Sequence, residues 1–467
     1  LNEITVKRHQ IRKLNNKKQA KLALWQNIFN AMFYFIYINL PNIFQKVLKQ
    51  VLSNFISGLK ETKIVSNFFN LSSIQISNIL LILLMYPLIT RIIGIEAFGM
   101  VILANTFSGL SSIVVNYGTN QSGVRDVAMY VNENTKLNQV VSSTLWVRTI
   151  IFILYLILIF SLQWANIRYY QFILLSSPVV LAEVLNPLFI FLGTEKLKIY
   201  NIANLISKVL VILAVLAFIK GTKDSEWVNF IIGAASMLAY AVLLIYVMIK
   251  HKLTLHLPNK EELSKIGKDN FFLTVNNISV HLQQSLMIFS LAKWGNPLWL
   301  GAYSICDKVI GSSRILIISV SNAIYPKAAQ LYKENIYSWK AYKSKMGKLI
   351  ALMFLTLSLV LFIMPEFIVH LLSGERNQDA IMYLRVMAFV PFLAALNVLN
   401  VLDLLLKNNT LAIFRIALIL FCISAFTSWF LVTQGLQKWF GAYTLLIDGS
   451  ALIMYNYVIN RSSNKNA

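Results

Sequence analysis

Apolar runs of about twenty residues recur along this chain, set apart by short stretches rich in charge, Asn, Pro or Gly. A run of that length, wound as an α-helix rising about 1.5 Å per residue, spans a hydrocarbon layer roughly 30 Å thick. The runs fall near 74–93, 98–119, 146–163, 170–192, 200–219 and 228–249, and then, after the polar interval HKLTLHLPNKEELSKIGKDN, near 271–292, 301–325, 348–365, 380–405, 410–432 and 439–459. The pattern predicts an all-α polytopic membrane protein of about twelve transmembrane helices in two six-helix lobes. It divides the chain into an N-terminal extension over 1–70, an N-lobe over 71–250, a flexible inter-lobe linker over 251–269, a C-lobe over 270–461 and a short tail over 462–467.

The extension has a different texture. A basic stretch from Lys7 to Lys21 precedes an aromatic run from Leu24 to Leu40, which Asn27, Asn30 and Asn39 interrupt, and an amphipathic piece, QKVLKQVLSNFISGL, follows. Too short and too polar to cross, it reads as an interfacial helix with a basic face. The stretch to Lys21 has no apolar core followed by a small-residue cleavage site, so insertion is expected from the internal segments.

Lys and Arg alternate between loops. One set, from Arg125, Lys136 and Arg148 through Lys196, Lys198, Lys250–Lys268, Lys327–Lys348 and Lys407 to Arg461 and Lys465, holds 19 cations. The other, comprising Arg91, Arg168, Lys220, Lys223, Lys293, Arg376 and Lys438, holds 7. Short loops that stay in the cytoplasm keep positive charge, so both ends of the twelve-helix body are expected to be cytoplasmic. With six crossings in each half, both halves start on the same side and form candidate parallel repeats. Gly99 and Gly109 near the start of the second helix match Gly301 and Gly311 near the start of the eighth, which sets Asn105 opposite Asp307.

Composition narrows the function. Apolar residues make up 57% of the chain and charged ones 13%, far from the roughly 25% charged of soluble domains. The net charge of +23 is spread over inter-helix clusters, which excludes a nucleic-acid-binding domain. Cys306 and Cys422 sit in apolar runs without ligands at metal spacing, and no GxSxG, HExxH or phosphate-cradling loop occurs, so no enzyme, metal or cofactor is indicated.

An ionisable group at mid-bilayer costs about 2.5–3.5 kcal/mol on insertion scales, so the charges within spans point to a water-filled cavity or to one another. The eighth helix carries Asp307, Lys308 and Arg314 with several serines. The seventh carries Asn276, Asn277, Ser279, His281, Gln283, Gln284 and Ser285, a polarity expected to line the same cavity. Lys208, Arg415 and Arg91 are further cavity candidates, and Arg385 sits near an outer mouth. Glu183 beside Asn186 and Pro187 is a candidate ion or proton site. His281 is read first as a hydrogen-bonded interior imidazole and second as a proton-coupling group. Arg125 and Asp126 read as a loop clamp, and Asp448 as a partner for a neighbouring helix.

Four stretches carry a family resemblance: YPLITRIIGIEAFGMVILANTF, NYGTNQSGVRDVA, FLGTEKLKIYNIANLISKVL and GAYSICDKVIGSSRILIISVSNAIYPKAAQL. In order and spacing they resemble the Wzx-type polysaccharide flippases of the multidrug/oligosaccharidyl-lipid/polysaccharide exporter superfamily. One departure is Asn116-Tyr117-Gly118, where that family often has an acidic residue and Phe. The resemblance implies a MATE-like inverted-V bundle around a central cavity in the bacterial inner membrane. It also implies alternating-access transfer of an undecaprenyl-pyrophosphate-linked glycan, an O-antigen or capsule repeat unit, from the cytoplasmic to the periplasmic leaflet. Membrane lipid, a polysaccharide polymerase and a chain-length regulator are the implied partners. Residues expected to hold the pyrophosphate are Arg91, Lys308, Arg314, Lys208 and Arg415, with Asp307, Glu183 or His281 coupling the cycle to H+ or Na+. Two readings stay beside it: a multidrug exporter of the same superfamily, for which an acidic cavity would be expected, and an O-antigen polymerase or ligase, which would need a larger outward loop than the one near Glu366–Asp379.

Overall fold

The computed structural model describes residues 84–464 apart from 165–168, 195 and 408. The expected N-terminal extension, the first crossing before residue 84, and Arg168 and Lys465 lie outside the described residues. Everything regular among the described residues is helical. The elements are α1 (Leu84–Ile93), α2 (Ile95–Asn116), α3 (Thr119–Tyr130), α4 (Asn134–Leu162), α5 (Tyr170–Leu175), α6 (Ser177–Leu185), α7 (Leu188–Gly193), α8 (Leu197–Phe218) and α9 (Trp227–His251). They continue as α10 (Lys260–Trp294), α11 (Pro297–Glu334), α12 (Ile336–Ile363), α13 (Pro365–Ser373), α14 (Gln378–Met387), α15 (Val390–Leu406), α16 (Thr410–Thr433) and α17 (Ala442–Asn464).

Nine spans among the described residues are long and apolar enough to cross a bilayer, and α1 is a shorter apolar piece. α10 and α11 have the length, at 35 and 38 residues, but carry the polar positions noted above. Exposed side chains confirm which solvent surrounds the bundle. On α4, Ile150, Ile153, Leu154, Ile157 and Leu158 recur at three- and four-residue spacing on one exposed face, and α8 and α9 present similar faces. In water these stripes would drive aggregation; against lipid tails they are the matched surface. The chain is a multi-pass membrane protein.

The two halves pack alike. In the first, α2 lies against α6, α6 against α9, and α9 against α8; in the second, α11 lies against α15, α15 against α17, and α17 against α16. Local chemistry places the ends: Asn259, Asn296, Asn335, Asn377 and Asn409 each accept a backbone N–H in the first turn of α10, α11, α12, α14 and α16.

Several boundaries differ from the expectation. The linker expected over 251–269 is extended only from residue 253 to 259, because Asn259 with Glu262 three residues on starts a helix there, and α10 runs from Lys260. Its extended part is tied to α4, with Asn138 bonding Thr254 through both backbone and side chain. The last helix reaches Asn464, into the expected tail. The second crossing breaks at Tyr117 and Gly118, both left-handed, so Arg125 and Asp126 ride on the separate helix α3, where they pair with each other at 2.8 Å. The fourth crossing breaks at Ser176 and at Asn186-Pro187.

The largest correction concerns Arg148, which the charge pattern counts among loop cations. It is 0% exposed, inside the N-lobe. The cause lies in the Asn186-Pro187 break, which leaves carbonyls at the end of α6 short of helical partners. The guanidinium donates to Glu183 O at 3.1 Å, which also accepts the Asn186 N–H, to Asn186 O just past the helix at 2.9 Å, to Thr119 Oγ1 at 2.8 Å and to Asn120 Oδ1 at 3.1 Å. Its face lies 5.1 Å from the Phe189 ring centre. One side chain thereby ties α4 to α3 and to both pieces of the broken crossing.

Between the halves, α2 packs on α10 and α11. At the end carrying the Lys-poor loops, a Cβ on Gly99 would lie 2.6 Å from Gly301 N, and one on Gly301 would overlap the Ile95 carbonyl oxygen. The two glycines that marked the repeat are thus the point where the halves touch backbone to backbone, as small residues permit between membrane helices. Ten residues further along α11, about 15 Å deeper, a Cβ on Gly311 would meet nothing within 4 Å.

Two predictions follow from this packing. Gly301→Val destabilises the extracted protein by about 1–3 kcal/mol through overpacking, whereas Gly311→Ala leaves thermal unfolding unchanged. Arg148→Met, which strands the Asn186 carbonyl and the Glu183 cluster, costs about 3–5 kcal/mol, and Arg148→Lys, lacking the planar fork, recovers only part of it. Melting curves of the detergent-extracted variants check both.

Candidate functional site

The seam between the halves is built by α1, α2, α10 and α11, and His281 of α10 and Lys308 of α11 reach across it. On α2, Thr106 offers its carbonyl oxygen to the His281 Nε2 of α10 at 3.2 Å. A Cβ on Gly109 would sit 3.3 Å from the same ring, so glycine there lets the imidazole lie flat on α2. His281 therefore occupies the hydrogen-bonded interior position that the first of its two readings describes. Further along α2, the Tyr117 hydroxyl donates to the Gly267 carbonyl at 3.2 Å, and Gly118 packs on Asn270.

α10 does not spend its polar residues on one surface. Gln283 is buried and donates to the Ala417 carbonyl of α16 at 2.8 Å, while its own carbonyl accepts from the Tyr443 hydroxyl of α17 at 2.7 Å. Ser285 is also buried, whereas Gln284 is exposed. These bonds knit α10 into its own half, and the expectation that the whole polar run lines one cavity is corrected accordingly. A helix two-thirds surrounded by neighbours divides its polar groups between them.

On α11 the charges pair off. Arg314 and Asp448 of α17 form an ion pair at 2.6 Å, and the Asp448 carbonyl accepts from Asn397 of α15 at 3.3 Å. This is the neighbouring-helix partnership anticipated for Asp448, and it binds three C-lobe helices. Lys308 is bound more loosely. Its ammonium lies 3.9 Å from the carboxylate of adjacent Asp307, beyond hydrogen-bond reach, and 5.6 Å from the Tyr86 ring centre on α1. Both Asp307 and Lys308 are about one-fifth exposed. Lys308 is thus a half-buried cation facing the opposite lobe, held by an aromatic face and a carboxylate that it does not contact closely. Asp307 and Asp448 thus match Lys308 and Arg314 one for one.

The other candidates sit elsewhere. Arg91, at the Lys-poor end, is exposed and donates to the Leu371 carbonyl of α13 at 3.0 Å, with its stem against Gly374. It bridges the halves outside the closure made by Gly99 and Gly301. Lys208 is half-buried on α8 and Arg415 exposed on α16, so neither is brought to Lys308 by a described contact. Arg385 lines a pocket of about 580 Å³ at the Lys-poor end with Glu366, His370 and Arg376. Glu183 is saturated: Asn116 and Asn120 donate to its Oε1 at 2.6 and 3.2 Å, and Asn186 to Oε2 at 3.0 Å. An ion there would have to displace amide donors.

Two residues escaped the sequence reading. Arg148 was hidden by its position among loop cations. Asp403, buried near the Lys-rich end of α15, accepts from Trp339 Nε1 at 2.8 Å and pairs with Lys407 at 3.0 Å and Lys343 at 3.5 Å. The spacing of Asp403 and Lys407, four apart on one helix, was the available signal.

Comparison with known proteins places the chain. A family model described as polysaccharide biosynthesis protein matches residues 64–332, more than half of the chain. The chain is 22% identical over 349 residues to a protein of Escherichia coli (strain K12) named "Putative O-antigen transporter", covering 73% of this chain and 83% of that one. A protein of the same name from Shigella dysenteriae is 25% identical over 266 residues, covering 55% and 65%. Both carry the names of transporters, not of enzymes. Among solved structures, an inward-facing multidrug resistance MATE family transporter of the MOP superfamily aligns with a TM-score of 0.68 at 14% identity, over 82% of this chain and 94% of that one. A MOP superfamily transporter from Pyrococcus furiosus, whose description speaks of a binding pocket of reverse polarity, aligns with a TM-score of 0.59 at 15% identity, over 87% and 100%. The chain belongs to the polysaccharide biosynthesis protein family and has the fold of the MOP-superfamily transporters.

Proposed function

We propose that this protein is a flippase of the bacterial inner membrane that carries an undecaprenyl-pyrophosphate-linked oligosaccharide from the cytoplasmic to the periplasmic leaflet. The observation that carries the reading is Lys308, a half-buried cation on the seam between two lobes whose Lys-poor ends are closed against each other. A pyrophosphate entering from the Lys-rich end, taken as cytoplasmic, meets that ammonium, and charge-assisted contacts to phosphate are among the stronger polar interactions available in a low-dielectric site. Parting of Gly99 from Gly301 and release of Arg91 from Leu371 would then open the other end, the lobes rocking about a fixed site. The family match and the O-antigen transporters among its relatives support a glycan cargo.

Protonation of Asp307 would tune binding at the same site. With Asp307 ionised, Lys308 has a carboxylate for company; a proton on Asp307 removes that competitor and leaves the ammonium to the pyrophosphate. Substrate and proton therefore favour one another, as linkage requires.

In a flippase-null strain, Lys308→Ala at normal abundance lowers surface O-antigen by tenfold or more and leaves lipid-linked repeat units accumulating. Arg314→Ala loses both abundance and display, because it leaves Asp448 buried without its partner. Wild-type display from Lys308→Ala would refute the site. Farnesyl diphosphate binding to the purified protein tightens more, or weakens less, as pH falls in the wild type than in Asp307→Asn, whose remaining pH dependence is that of the diphosphate.

A further inference from the structure

A second phosphate-like site lies away from the seam, at the Lys-rich end of the C-lobe. α12, α15 and α17 enclose a pocket of about 460 Å³ there, and its lining contains no acidic side chain. Lys340, Lys343 and Lys348 enter it from α12, spread over about 12 Å of helix. Lys343 is already answered by Asp403, which also binds Lys407. Lys340 and Lys348 are exposed, with no acidic partner among the described residues, and Lys340 lies only over the Tyr337 ring at 5.8 Å.

The lining is graded along the membrane normal. Asn400 and Asn456, bonded to each other at 3.0 Å, stand nearer the Lys-rich ends of α15 and α17. Leu396 and Leu452 stand about one turn deeper on the same helices, next to Leu399, which packs where Gly347 leaves room on α12. A polar, cationic mouth at the interface above an apolar wall is the profile of an amphiphile with an anionic head. All of its lining comes from α12, α15 and α17, and none from the seam helices α1, α2, α10 and α11. Basic pockets between membrane helices at an interface are suited to lipid phosphate groups, at about 1 kcal/mol per Lys or Arg.

We propose that this pocket binds the phosphate headgroup of an anionic lipid, held by Lys340 and Lys348 with one acyl or prenyl chain along Leu396 and Leu452. Two sources share that chemistry: bulk anionic phospholipid and a polyprenyl diphosphate. The site does not depend on the flippase reading, since it needs only a bilayer.

The test is thermal unfolding of the purified full-length protein in detergent, titrated separately with phosphatidylglycerol, phosphatidylcholine and farnesyl diphosphate. The expected result is stabilisation by an anionic ligand and not by phosphatidylcholine. Lys340→Gln/Lys348→Gln weakens its apparent affinity by roughly tenfold or more, while Lys260→Gln/Lys265→Gln, on the same side of the membrane but outside the pocket, responds as wild type. A lysine-dependent response to phosphatidylglycerol identifies bulk phospholipid as the source; one confined to farnesyl diphosphate identifies the polyprenyl diphosphate. Equal stabilisation by phosphatidylcholine, or an unchanged response in the pocket double variant, overturns the proposal. Because the variant lysines are exposed, its melting temperature without added lipid stays near wild type and serves as the folding control.

Discussion

Hydrocarbon offers a buried charge no water, so every ionised group that this chain carries into the bundle must be answered by another part of the same chain. Arg148 is the extreme case: two carbonyls at the Asn186-Pro187 break, a hydroxyl and an amide oxygen surround it, and Glu183 close by is saturated by three amide groups. The C-lobe answers its own charges with acids, Asp448 for Arg314 and Asp403 for Lys343 and Lys407. In each half, then, an acidic residue toward the Lys-rich end of the fourth crossing neighbours a base from the third.

That distribution gives Lys308 its distinction. Arg148, Arg314, Lys343 and Lys407 have close partners, whereas Lys308 has a carboxylate at 3.9 Å and the face of Tyr86. Its surroundings stabilise it enough to be there and leave it able to accept a better partner. In the proposed function, the glycine contact at the Lys-poor end would serve as a closure that depends on shape and not on strong bonds. Gly99 and Gly301 meet without side chains, and Arg91 adds a single hydrogen bond across the gap. Such a contact can separate at modest cost.

Much of this was legible in advance because bilayer thickness and backbone hydrogen bonding leave few options. Apolar runs of sufficient length had to be helices. The glycine pairs signalled a repeat for a physical reason, since a helix that touches its counterpart backbone to backbone tolerates no side chain. Less legible were departures from straight helices. Arg148 falls between a loop-like charge pattern and an apolar run, and nothing local distinguishes a snorkelling arginine from a buried one. The linker was read as flexible because it is polar, yet Asn259 and Glu262 begin a helix inside it.

By itself, the amino-acid sequence determined that the chain lives in a membrane as helices and which of them carry its polarity, because these follow from local composition and period; the family resemblance rested on the order and spacing of four stretches. Only the tertiary structure decided which charges cancel. Arg314 lies 134 positions from Asp448, and Arg148 35 from Glu183, and no spacing rule joins residues on different helices. Electrostatic pairing acts over a few ångströms, so whether a cation is a fastener or a ligand is settled by which helices come to lie side by side.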